Sequence, residues 1–164
     1  MTKYEQGLAL IEEKVGGGKD NVMSLATIAR EPGEGGRPRP VSRDVDAFYE
    51  DGVFYIVTWG KSNKVLQVEQ NPEVSFSVNF GWLSGNGLGE NLGWVMKPEN
   101  AEIRTKLRTA FEKWYDTANN ENNENCVILA VRITTVTLNH NHGETFYHLD
   151  FVNKAETSNE GKVR

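Results

Sequence analysis

The spacing of hydrophobic and polar positions changes several times along the chain, and each change marks an element. Tyr4, Leu8, Ile11 and Val15 fall on one face of an α-helix, which Gly16, Gly17 and Gly18 then stop. From Val22 the compact apolar run VMSLATIA predicts a strand, the turn-rich EPGEGGRP follows, and Arg39 to Tyr49 is again extended. Glu50-Asp51-Gly52 is a tight-turn signal, and Val53 to Thr58 are all β-formers, so a hairpin is expected there. Ser62 stands at a helix start, with Val65, Leu66 and Val68 as its apolar face and Asn71-Pro72 as its end. Val74, Phe76, Val78 and Phe80 alternate with Ser75, Ser77 and Asn79, the pattern of a strand buried on one face. The glycine-rich stretch from Gly81 to Gly93 reads as a bent or bulged hairpin.

Pro98 opens a second clear helix in which Ile103, Leu107, Ala110, Phe111 and Trp114 keep helical spacing. ANNENNEN is a polar surface loop, Cys126 to Val136 a strand, LNHNHGE a turn, and Thr145 to Val152 the last strand. The sum is a mostly β (α+β) chain of six or seven antiparallel strands with three flanking helices, lacking the strand-helix alternation of a parallel sheet. A small closed barrel is the natural solution. Residues 1–152 form one domain, and residues 153–164 are expected to be a flexible tail.

Composition narrows the function. Of 164 residues, 38% are hydrophobic and 25% charged, and no apolar run approaches a membrane span. Glu5, Glu12 and Glu13 interrupt the N-terminal apolar positions, so a secretory signal is not expected and a cytoplasmic location follows by default. The net charge of -5 argues against non-specific nucleic-acid binding. The single cysteine, Cys126, has no internal disulfide partner and reads as a buried thiol. His140 and His142 sit in a polar turn without a third ligand at suitable spacing, so no metal site is assigned.

Two stretches suggest anion chemistry. In VTWGKSNK a strand runs through Gly60 into a helix start, where unpaired amides, the Ser62 hydroxyl and the Lys64 ammonium suit a phosphate. In GRPRPVS two arginines open a strand, and a guanidinium suits bidentate phosphate contact. Taken alone, each stretch reads first as a helix cap or as solvated surface charge. A P-loop is excluded, because Tyr55 stands where its first glycine belongs, and GNGLGE places Glu90 where a dinucleotide fingerprint needs glycine.

In order and spacing, residues 22 to 80 resemble the pyridoxamine-5′-phosphate-oxidase-like split β-barrels. The resemblance rests on Arg39 in an opening strand, the Asp51-Gly52 turn, a strand ending in Thr58, Ser62-Asn63-Lys64 and Asn71-Pro72. It implies FMN as cofactor. Arg39 and Lys64 would hold its phosphate with help from Ser62, Val41 and Ser42 would lie along the ring or ribityl chain, and Thr58 and Trp59 would meet the ring's polar edge. Pro40, Val57, Asn63 and Gln67 complete the implied cofactor-binding set. Phe80, Trp82 and Trp94 are candidates to face a flavin across a subunit boundary. The family further implies a homodimer with the flavin site at the interface and a small-molecule electron donor or substrate. With no Arg-rich C-terminal segment, the chain is more similar to the general-stress-protein branch than to the vitamin-B6 oxidases. No catalytic side chain is assigned. A non-enzymatic flavin sensor or carrier, or a deazaflavin- or heme-binding relative, fits the same resemblance.

Overall fold

The computed structural model describes residues 1–78, 80 and 82–157. The expectations for Asn79, Gly81 and residues 158–164 lie outside them. The helix α1 (Lys3–Val15) opens with a capping box: Thr2 Oγ1 accepts from the Glu5 amide, and the Glu5 carboxylate accepts from the Thr2 amide at 2.6 Å. Ile11 and Val15 are fully buried, and Gly7 lets the helix close on β7, where a Cβ would lie 2.6 Å from Leu149 Cδ1.

Strands β1 (Asn21–Ile28), β2 (Pro40–Glu50), β3 (Val53–Trp59), β4 (Glu73–Val78), β5 (Leu83–Trp94) and β6 (Cys126–His140) form a closed antiparallel barrel. Closure comes from β3 pairing with β6, with Val53 opposite Arg132 and Trp59 opposite Cys126. Beyond β6 the sheet continues through β7 (Thr145–Asp150) to the two-residue β8 (Ala155–Glu156). Asp51 and Gly52 both take positive φ, the geometry a tight hairpin between β2 and β3 requires. The stretch expected to be a bent hairpin is the single strand β5, whose register with β6 shifts after Asn86 and after Asn91.

Three helices join the barrel between strands: α2 (Asn63–Gln70), α3 (Ala101–Ala110) and the one-turn α4 (Tyr115–Ala118). Phe54, Phe76, Leu25 and Leu129 fill the barrel interior, while Phe111, Tyr115, Leu107 and Ile128 build a second core under α3 and α4. Three expectations are corrected. Phe80 is fully exposed with φ 57°, because the β4–β5 turn begins before the alternation would bury it. The helix from Pro98 does not reach Trp114: it starts as a 3-10 turn and ends at Ala110, and Phe111 then stacks on Trp114 at 4.7 Å. The polar residues Asn139 and His140 belong to β6, because β7 supplies their ladder partners Phe146 and Thr145.

Candidate functional site

Lys64 stands in the first turn of α2, and the strand-to-helix junction before it is tightened by the Ser62 amide donating to the Trp59 carbonyl at 3.0 Å. Ser62 occupies the N-cap position, yet its hydroxyl makes no capping bond: Oγ is buried and has no hydrogen-bond partner among the described residues. A buried hydroxyl left in this state costs free energy that a ligand oxygen would recover. The half-buried Lys64 ammonium is pushed down from its ordinary range by burial and by the neighbouring Arg43 guanidinium. Among the described residues neither cation is in an ion pair. Burial lowers Arg43 as well.

Arg43 is fixed from behind. Its Nη1 donates to Thr27 Oγ1 at 2.7 Å and its Nη2 to Gln67 Oε1 at 2.9 Å, while the Thr27 hydroxyl donates to the same Gln67 oxygen at 2.5 Å. Thr27 and Gln67 are buried, so this network holds the guanidinium rigidly at the α2 end of the barrel. Gln67, implied as a cofactor contact, serves here as the support of Arg43.

A cavity of about 280 Å³ opens beside Lys64. Ile56, Val57, Thr58 and Trp59 of β3 form one wall, and Trp114, Ala118 and Asn119 form another. Asp44, Val45 and Asp46 of β2 complete it. Asp46 is hydrogen-bonded to Asp20, and Asp20 Oδ2 accepts from the Trp114 indole at 2.7 Å. Burial first, then that Asp20 contact, raises the Asp46 carboxyl to about 6. A neighbouring cavity of about 220 Å³ shares Thr58, Trp59, Ala118 and Asn119 and reaches the buried Cys126, whose thiol burial pushes up.

Of the implied cofactor residues, Val57, Thr58, Trp59 and Lys64 meet in this cavity, while Ser62, the N-cap two residues before Lys64, is not among its lining residues. Arg39 is exposed just before β2, its carbonyl accepting from the Ala29 amide at 2.8 Å. Pro40 lines a separate small cavity with Thr27 and Ser75, and Val41 and Ser42 pair with Thr27 and Ala26 along β1. Asn63 is exposed at the first position of α2. None of Phe80, Trp82 and Trp94 lines the cavity: Trp82 meets His142 edge-on at 5.4 Å, and the Trp94 indole donates to the Glu121 carbonyl at 2.7 Å. Its indoles are those of Trp59 and Trp114. Arg43 escaped the sequence reading although it lies four positions after Arg39 and two after Val41, the same strand face by period-two alternation. Asp20 and Asp46 meet only through the tertiary fold.

A larger concavity, about 530 Å³, lies elsewhere, over β4 to β7, lined by Ser75, Ser84, Asn86, Thr135, Thr137 and His148. Among the described residues no lysine or arginine lines it, so they do not supply the charge a phosphate needs. The smaller cavity is therefore the candidate site.

No family model and no curated protein matches the sequence. Solved structures do. General stress protein 26 from Bacillus anthracis superposes with a TM-score of 0.57 at 19% identity, over 83% of this chain and 92% of that one. A pyridoxamine 5′-phosphate oxidase-related, FMN-binding protein from Nostoc punctiforme gives 0.57 at 13% identity, over 90% and 89%. A heme-binding protein from Mycobacterium smegmatis gives 0.65 at 14% identity, over 94% of this chain and 60% of that one. The closed six-stranded barrel of this chain, with its two added strands and flanking helices, therefore has the pyridoxamine-5′-phosphate-oxidase-like split-barrel fold.

Proposed function

We propose that this chain binds FMN in the Lys64 cavity and uses it for electron or hydride transfer to a small molecule. The observation that carries the reading is the pairing of two cations, Lys64 and Arg43, neither in an ion pair among the described residues, with the unpartnered Ser62 hydroxyl at the N-cap two residues before Lys64. A phosphate answers all three, accepting from the hydroxyl and compensating both charges. Arg43 is the guanidinium whose charge acts on Lys64, so it joins Lys64 and Ser62 as a phosphate ligand in this proposal. Trp59 and Trp114 offer aromatic walls to a planar ring, and Thr58 and Asn119 offer polar groups to its edge. When bound, the flavin supplies the redox chemistry, and the chain's residues bind, orient and shield it.

We further propose a homodimer. At about 280 Å³ the cavity falls below the usual range for a ligand this large, and a second subunit related by two-fold symmetry would close two equivalent sites. Sedimentation at low micromolar concentration should give a dimer, and a flavin-loaded monomer would contradict it. Heme is a second reading, favoured by the likeness to the mycobacterial heme binder. Among the described residues none of His, Cys, Met and Tyr, the residues that ligate heme iron, lines the cavity, which favours FMN. The colour and mass of the ligand released from purified protein test the reading: a yellow protein releasing FMN supports it, and a heme spectrum overturns it.

A further inference from the structure

The β2 wall of the cavity faces Lys64 with carboxyl groups, an arrangement a phosphate site does not need. Asp44 and Asp46 both line it. Asp44 is engaged by the Ser24 hydroxyl, which donates to Oδ1 at 2.6 Å. Asp46 is bonded instead to another carboxyl, Asp20, which the Trp114 indole anchors. A hydrogen bond between two carboxyl groups needs a proton on one of them, and it is the Asp46 carboxyl that burial and Asp20 raise. Among the described residues none of the three aspartates is in an ion pair.

Among the described residues the charged groups lining the cavity are Asp44, Asp46 and Lys64. Asp44 lies on the same strand, Lys64 projects from α2 with Arg43 beside it, and Asp20 precedes β1. The lining residues from β3 and from the Trp114 to Asn119 segment carry no charge. The cavity is therefore bipolar, cationic at α2 and acidic at β2, and its acidic end carries one negative charge more once the shared proton leaves.

We propose that Asp46, positioned by Asp20, tunes the redox balance of a flavin in this cavity by favouring an uncharged ring over one that carries negative charge. The inference rests on the FMN reading above. Oxidised FMN has an uncharged ring. Adding two electrons and one proton leaves a ring with one negative charge, which an ionised Asp46 repels. The consequence is a lower midpoint potential for bound FMN, appearing only where the pair has lost its proton.

The test is the midpoint potential of FMN bound to wild-type protein and to Asp46→Asn, measured by reductive titration with dithionite at pH 5 and pH 8. Asn keeps the hydrogen bond to Asp20 and removes the charge. At pH 8 wild type should hold oxidised FMN about tenfold more selectively than the variant does, a potential lower by about 30 mV for a two-electron couple. At pH 5, where the pair is singly protonated and both proteins carry the same charge, the two should coincide. Asp20→Asn removes the partner carboxyl and so lets Asp46 ionise at lower pH; it should lower the pH 5 potential below that of wild type while leaving the pH 8 potential near it, and carries the test if Asp46→Asn does not fold. Coincident pH 8 potentials of wild type and Asp46→Asn, an equal gap between them at both pH values, or an Asp20→Asn potential unchanged at pH 5 would overturn the role of Asp46 while leaving FMN binding intact. Wild type that takes up no FMN would sink the flavin reading and this inference together.

Discussion

Two clusters of basic side chains sit at different places on the barrel and are treated in opposite ways. Under α3 and α4, Arg104 and Arg108 converge on Glu121, with the Tyr115 hydroxyl donating to the same carboxylate at 2.8 Å. Arg104 approaches it with two nitrogens, at 2.9 and 2.7 Å, and Arg108 also reaches Asp116 at 2.9 Å. Every charge there has an opposite. At the α2 end of the barrel, neither Lys64 nor Arg43 has an ion-pair partner among the described residues, Arg43 being held only by the neutral Thr27 and Gln67, and the buried Ser62 hydroxyl has no hydrogen-bond partner there. The difference is instructive, because paired charges hold a structure whereas unpaired, half-buried ones cost stability until a ligand arrives. The first cluster locks the polar 118–125 loop to the helices; the second is the proposed anion site.

Mutation should separate the two. Glu121→Ala leaves two guanidinium groups facing one another and removes the anchor of the loop, so unfolding in urea should show a loss of about 3 kcal/mol without selective loss of flavin affinity. Lys64→Ala should do the reverse: FMN binding weakens by about 1 to 3 kcal/mol, while the urea midpoint holds or rises as repulsion from Arg43 is relieved. A Lys64→Ala protein that unfolds more readily would make Lys64 part of the packing. Ser62→Ala should have the smallest effect, costing FMN affinity about 1 kcal/mol and leaving stability unchanged, since its hydroxyl makes no bond to lose.

Acid sharpens the contrast further. Hydrogen bonds from Arg104, then from Tyr115 and Arg108, hold the Glu121 carboxyl down at about 2 against an ordinary 4.5. A carboxyl depressed on folding gives stability that is complete above its unfolded value and is lost as pH falls through the folded one. Wild type should therefore lose stability from about pH 4.5 down to about 2. Glu121→Gln should lack that part of the slope. Asp46 has the opposite sign: its carboxyl is raised to about 6 from 3.8, so its contribution declines as pH rises across that window. Asp46→Asn should flatten stability between pH 4 and 6, measured by thermal unfolding.

How much of this could be read from the sequence depended on the range of the interaction. The face of α1 and the alternation of Val74, Phe76 and Val78 are local periodicities, and both elements formed where expected. The same alternation overran at Phe80, because a turn carries no period to announce it. Helical spacing from Ile103 to Trp114 overran as well, since the chain bends after Ala110 to bring Trp114 to Asp20, 94 residues away. At the site, the strand end, the helix start and Lys64 were legible as one continuous stretch. Arg43 needed its partners Thr27 and Gln67, 16 and 24 residues distant, to become distinguishable from a surface charge. Glu121 is one of several acidic and amide residues in a polar loop, and nothing local marks it as the hub of three side chains.

The central claim is that the α2 end of the barrel is built for a phosphate, and comparison of FMN with riboflavin tests it without any variant. The two share the ring and the ribityl chain and differ in the phosphate alone. Titration of ligand-free protein, followed by quenching of flavin fluorescence, should show FMN binding at least about tenfold more tightly than riboflavin, as expected when a phosphate meets two cations and a hydroxyl. Equal affinity for the two would contradict the assignment and return Lys64, Arg43 and Ser62 to ordinary structural residues.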